Sequence, residues 1–319
     1  MDNTMWRDVI KRDWRSISYA PVEIRQDRGI VMSAVRQNGM ALEHADPPLR
    51  GDFELVHEAV SQSGAALRYA GDFCAEPKIA TKAVEMDGMA LQFVGGGLRG
   101  DLKIVTKAVT QNGMALSLAE RKVRANRDIV LKAVQQNGLA LKDASADFQA
   151  DRELVREAVK SNVQALDFAN PELRSDRKLI LEAVKQKSIA LQYAAQKLRS
   201  DPEFVMEAVV ANVWSLAYAA PELRRDEEFV AEAMRKNPMA IQFAAKELRT
   251  DDNYIKKAVQ ENGKAILNFL QRQEPLERAR SSTGFRPASA TRLPKQARLG
   301  NGLSQTGAAI VDATNKRGR

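Results

Sequence analysis

The 319-residue sequence holds little of what small-molecule chemistry is built from. It has one cysteine, Cys74, and two histidines, His44 and His57. A single cysteine excludes an internal disulfide, which suits a reducing compartment. No His/Cys pair stands at metal-ligand spacing. Aromatic residues make up only 6%, which fits a chain of small, closely packed elements better than one large core. No apolar run approaches the ~20 residues of a membrane span, and the opening MDNTMWRDVIKRDWRSISYA lacks the apolar core of a signal peptide. The expectation is a chain of the cytoplasm or nucleus with no membrane contact. No alternating run predicts a strand, and no Gly-rich phosphate loop follows one.

The formal net charge of +8 is unevenly held. Residues 271–319 contain ten Lys/Arg against three Asp/Glu, a net +7, which leaves +1 for residues 1–270.

What the sequence does have is a phrase that returns at a fixed interval. Asp101 opens DLKIVTKAVTQNG, Asp27 opens DRGIVMSAVRQNG and Asn126 opens NRDIVLKAVQQNG. Taking the opening residue as position 0, it recurs at Asp2, Asp27, Asp52, Glu76, Asp101, Asn126, Asp151, Asp176, Asp201, Asp226 and Asp251. Nine of the ten spacings are 25 residues and one is 24, with the slack placed around Gly71 to Phe73. A period of this kind marks a repeat architecture.

Asp at position 0 is a strong helix N-cap. Apolar residues at positions 3, 4, 7 and 8 (Ile104, Val105, Ala108 and Val109) form one helical stripe. Asn112-Gly113 then ends the helix, on the expectation that glycine takes the left-handed conformation. The following Met114–Ala119 predicts a short, mostly buried second helix, which Pro171 and Pro221 stop or turn into a further turn in their own units. Both helices fall below the ~12–15 residues at which an isolated helix is even marginal, so stability must come from stacking. The expected fold is all-α: a right-handed α-solenoid of eleven 25-residue helix-turn-helix units over residues 1–270, followed by a disordered basic tail, 271–319. The end units are altered as caps, with Asp13-Trp14 in the first and Asn268-Phe269 in the last.

Tandem D-x-E-x-V-x-x-A-V-x-x-N-G-x-A-L-x-x-A-x-x-x-L-R units resemble the domain-of-unknown-function 4116 repeats, and Asp151–Arg174 and Asp201–Arg224 carry the pattern most fully. The resemblance covers residues 2 to about 270 and implies a helical repeat fold with no assigned activity. The chain departs from it at Glu76-Pro77, at Val163 and Val213 in place of Gly, and at Pro238.

Four constellations deserve a functional reading beside a structural one. His44 stands at position 17, where other units carry Tyr or Phe, and reads as a packing replacement; His57, at position 5, and Cys74 have no catalytic partner. No catalytic, metal-binding or cofactor-binding residue is expected, and no enzyme. The position-23 arginines (Arg25, Arg50, Arg99, Arg124, Arg174, Arg199, Arg224 and Arg249) could track phosphates, but each precedes the next unit's cap, acidic in all but Asn126, and the row reads rather as an Arg–Asp ladder. Met40, Met89, Met114, Trp214 and Met239 at position 13, with Tyr19, Tyr69, Phe93, Phe168, Tyr193, Tyr218 and Phe243 at position 17, share a face that reads as inter-repeat core before it reads as a peptide groove.

Positions 2 and 6, on the outer face of the first helix, are the informative ones. Lys78, Lys82, Lys103, Lys107 and Lys132 make the fourth to sixth units basic; Glu153, Glu157, Glu182, Glu203, Glu207, Glu228 and Glu232 make the seventh to tenth acidic. Like charges at i,i+4 lower helix stability, and lysine in a first turn opposes the macrodipole. The leading expectation is a non-enzymatic scaffold that docks a protein partner on this charge-polarised face. The alternative is nucleic-acid binding, by the repeats or by Arg286, Arg292, Lys295, Arg298, Lys316, Arg317 and Arg319 of the tail.

Overall fold

The computed structural model describes residues 3–262, and the described residues are helical with no strand. Each repeat opens on a long helix. These are α1 (Asn3–Arg12), α2 (Arg28–Gln37), α3 (Phe53–Gln62), α4 (Pro77–Met86), α5 (Leu102–Gln111) and α6 (Arg127–Gln136). They continue with α7 (Arg152–Ser161), α8 (Arg177–Gln186), α9 (Pro202–Ala211), α10 (Glu227–Lys236) and α11 (Asp252–Asn262). The chain divides after Asn170 into two compact units. In the first, α1 to α7 pack each on the next; in the second, α8 to α11 do the same. The expected tail, 271–319, and the Asn268-Phe269 cap lie outside the described residues.

The start of each helix follows the capping expectation. Asp101 accepts from the backbone N–H of Lys103 at 2.8 Å and of Ile104 at 3.0 Å, and Asp27, Asn126 and Asp151 do likewise. Glu76, one carbon longer and followed by Pro77, makes no side-chain cap. Positions 3, 4, 7 and 8 are buried from α2 to α10, as Ile104, Val105, Ala108 and Val109 show, whereas in α1 Met5 is exposed and Trp6 and Val9 are half-buried.

The second segment differs from expectation. Gly113–Leu118 and its counterparts are 3-10 helices rather than α-helices. The pattern explains it: Gly113, Leu116 and Ala119 are three apart, and at three residues per turn they fall on one line, all buried. Asn112 starts this segment by accepting from Met114 N–H at 3.0 Å. It also ends α5, not through a left-handed residue but by being extended itself, with φ −146° and ψ 108°. Where Lys187 replaces Asn, no side-chain cap forms and a turn leads instead into a short α-helix, Ala190–Tyr193.

The glycine is needed for a different reason than expected. Among described residues, left-handed φ occurs only at Gly71, Gly96 and Gly97, none of which follows a helix-ending Asn. A Cβ on Gly39, Gly64, Gly88, Gly113 or Gly138 would instead come within 2.0–2.4 Å of a carbonyl oxygen on the next long helix, from Ala59, Ala83, Ala108, Ala133 or Ala158 in turn. The glycine admits the neighbouring backbone. Its N–H then donates across the repeat: Gly88 to Gln111 Oε1 and Gly113 to Gln136 Oε1, both at 2.6 Å. These five glycines lie in the first compact unit, where Val163 also stands at this position; the second carries Ser188, Val213 and Pro238 there, and Gly263 lies outside the described residues.

A third short segment, unforeseen except as a possible turn after Pro171 or Pro221, carries the Leu-Arg closure. Examples are Arg121–Arg124, Gln196–Arg199 and Pro221–Arg225. It ties consecutive repeats by a backbone bond: Glu120 N–H to Arg99 O at 3.0 Å, Ala220 N–H to Arg199 O at 2.9 Å and Ala245 N–H to Arg224 O at 2.7 Å. The 24-residue unit absorbs its missing residue here, where Gly71, at φ +54°, opens a 3-10 helix directly after Ala70.

Candidate functional site: charged helix faces and an apolar groove

Since positions 3, 4, 7 and 8 turn inward, positions 2 and 6 must turn outward. Lys78, Lys103, Lys107 and Lys132 are exposed on α4 to α6, and Lys82 is half-buried. Glu153 is exposed on α7 and Glu157 half-buried; both belong to the first unit with the lysines. In the second unit Glu203, Glu207, Glu228 and Glu232 are exposed and Glu182 is half-buried. Part of this charge is already matched. Lys107 pairs with Glu85 of the preceding helix. Glu157 accepts from Lys160 at 2.6 Å, and that bond, working against some burial, holds its carboxyl below the usual range. Glu207 shares Arg177 with Asp201, at 3.0 and 2.6 Å.

Three of the acidic residues, Glu203, Glu207 and Glu232, line a groove of about 600 Å³ on α8, α9 and α10. Its apolar surface comes from Leu181, Met206, Val210 and Phe229, with Pro202 and Ala211; Lys185 also lines it. Helix α9 is the reason it exists. PEFVMEAVVA places Met206 and Val210 on the outer face, and Val210 is 65% exposed. Sequence reasoning found the glutamates but missed the groove, although Val210, at a position that is polar in neighbouring repeats (Lys185, Arg235), carried the signal.

The arginine rows have exchanged roles. The acidic caps are met by arginines one position into the preceding helix: Arg28 Nε to Asp52 at 2.7 Å, Arg127 to Asp151 at 3.2 Å and Arg177 to Asp201 at 2.6 Å. The hydrogen bond from Arg28, opposed by partial burial, holds Asp52 below the usual carboxylate range. Of the position-23 arginines, expected to form this ladder, Arg50 turns back onto a carbonyl at the end of its 3-10 segment, its Nε donating to Ala45 O at 2.9 Å. The Nε of Arg25, Arg124, Arg174, Arg199, Arg224 and Arg249 is instead buried without a hydrogen bond among the described residues. Gln149, standing in an arginine's place, donates to Leu141 O and Lys142 O, each at 3.2 Å. Two donors on one side chain reach both carbonyls, so Gln can replace Arg without a charge.

The Met and aromatic column is mostly half-buried; Tyr19 and Trp214 are exposed, at 84% and 38%, and Phe243 alone is buried in the core, with Met239 packed against that cluster. Trp214 leans on Phe243 at 5.0 Å between ring centroids. His44 is half-buried in its 3-10 segment; His57 stacks on Phe53 at 6.1 Å; Cys74 is half-buried, in the place an arginine takes in other repeats. Among described residues no group of three or more His, Cys, Asp or Glu is placed to hold a metal, and no helix is long and apolar enough to cross a membrane. Asp143 stands where other repeats carry an aromatic; burial pushes its carboxyl up, against the opposing charges of Lys142 and Arg124.

The model of the family described as Domain of unknown function (DUF4116) matches five tandem stretches, residues 5–50, 77–124, 126–174, 176–224 and 226–270. No curated protein and no solved structure matches.

Proposed function

The chain belongs to the DUF4116 family, and from that premise we propose that it is a non-enzymatic scaffold, a right-handed α-solenoid of eleven units that holds another protein against the outer faces of its long helices. The observation that carries this reading is the charge at positions 2 and 6: lysine at both on α4 and α5 and at position 6 of α6, where Asp128 holds position 2, against glutamate at both on α9 and α10. Burial, capping and helix termination account for the recurring residues; none of them accounts for Lys103 in a first helical turn or for Glu203 beside Glu207. Charges so arranged speed and select encounter with a complementary surface. The test is capture from the source cells by the full chain and by the triple variant Lys82→Glu, Lys107→Glu, Lys132→Glu. The variant keeps its helix content and loses the partner; undiminished capture sinks the reading.

A second reading rests on the net +7 of residues 271–319. A basic segment on a near-neutral array is suited to phosphate contact by counterion release. Retention on nucleic acid that falls with salt, and that disappears when the tail arginines and lysines become glutamine, would favour it over protein capture.

A further inference from the structure

We propose that the groove on α8, α9 and α10 is a peptide site, and that its occupant is this chain's own segment Phe285–Lys295. This goes beyond the scaffold reading, since it needs no external partner. Three observations converge. First, the groove's outer apolar surface is not explained by folding. Val210 is 65% exposed, and a β-branched residue there serves neither helix propensity nor the core. Second, Glu203 and Glu207, and Glu228 and Glu232, place like charges at i,i+4 along its two flanking helices, an arrangement that waits for cations. Arg177 already engages Glu207, which leaves Glu203 and Glu232 as the acidic groove residues facing a ligand.

Third, the chain carries the complement. FRPASATRLPK sets apolar anchors beside cations, Phe285 next to Arg286 and Leu293 between Arg292 and Lys295 (two along). No acidic residue occurs between Glu277 and Asp312. Pro287 and Pro294 fix φ and so reduce the entropy lost when the segment is held extended. The reach is sufficient: the 22 residues between Asn262 and Phe285 can span up to ~75 Å at ~3.4 Å per residue, whereas helices in one stack are ~8–10 Å apart. Leu293 or Phe285 fills the apolar floor by Met206 and Val210, and the flanking cations meet Glu203 and Glu232.

A labelled peptide of residues 282–298 tests this on the full chain. Tethering gives the resident segment an effective concentration in the ~mM range, so it competes with the added peptide. The variant Arg286→Glu, Arg292→Glu, Lys295→Glu frees the groove and binds the peptide at least ~10-fold more tightly than the unaltered chain. Adding Val210→Asp to that variant abolishes binding, and adding Glu203→Gln with Glu232→Gln instead weakens it and flattens its salt dependence. The glutamine pair leaves every core position intact, so it reads the groove even if Val210→Asp disturbs the fold. Equal peptide affinity for the unaltered chain and the tail variant overturns the proposal, as does binding unaffected by both groove variants. Self-association of the unaltered chain that the tail variant lacks also overturns it, since the occupant would then come from a second copy.

Discussion

Replacing Gly113 by alanine separates two explanations of the glycine that follows each helix-ending Asn. The added Cβ would lie 2.3 Å from Ala133 O, 3.0 Å from Gln136 Oε1 and 3.1 Å from Asn137 N. The first is a main-chain atom of α6, so no side-chain rotation relieves it; the 3-10 segment and α6 must separate by roughly 1 Å. Overpacking of this kind costs about 1–3 kcal/mol. Against it stands the ~0.4–1 kcal/mol that Gly→Ala gains by restricting the unfolded chain. A net loss of roughly 1–2 kcal/mol follows, read as a lower urea midpoint by far-ultraviolet circular dichroism at unchanged slope. The series Ala, Ser, Val at this site should worsen with size, and Asn should fare worse than Ala. A left-handed residue would give the opposite order, with Asn the best substitute. A Gly113→Ala chain as stable as the original, or an Asn variant more stable than the Ala one, refutes close approach as the reason for the glycine.

Other substitutions test the remaining pieces. Val213, buried at the glycine's position in the second unit, should lose roughly 1–2 kcal/mol on Val213→Ala, through two deleted methyl groups at ~0.8 kcal/mol each. Asn112→Ala removes the cap on Met114 N–H and should cost ~1 kcal/mol in the same denaturation assay. Asp143 has a raised carboxyl pKa in the folded chain, so its charged form lowers stability above that pKa and the penalty vanishes below the unfolded value near ~3.9. Asp143→Asn should therefore raise the melting temperature at neutral pH and leave it unchanged near pH 3. The depressed Asp52 works the other way: its contribution is present above the unfolded value and lost as pH falls through the folded one. Arg28→Gln should lower stability at neutral pH and make the acid transition shallower.

Much of the repeat could be read directly. Asp101 as a cap and Ile104, Val105, Ala108 and Val109 as a buried stripe need only the chain's own local geometry. Gly113 could not be read that way, because its role depends on where Ala133 of the next repeat sits. Nor could the 3-10 character of Gly113–Leu118, since six residues hardly distinguish a period of three from one of 3.6; the line through Gly113, Leu116 and Ala119 held the answer. Gln111 looked merely polar, yet it accepts the N–H of Gly88. At the candidate site the charges at positions 2 and 6 were legible because exposure there follows from helix periodicity. The groove was not, because Leu181, Met206 and Phe229 come from three helices and meet only on packing.

The central claim is that the 25-residue repeat is the unit of folding, its long helix packing on that of the next repeat within each compact unit. Deleting residues 101–125 joins Gly100 to Asn126 and keeps every position in register. The account predicts a shorter chain with helix content per residue unchanged by circular dichroism and a cooperative unfolding transition, while deleting only residues 101–112 leaves a 3-10 segment without its helix and abolishes that transition. Equal tolerance of the two deletions, or equal collapse, would contradict it.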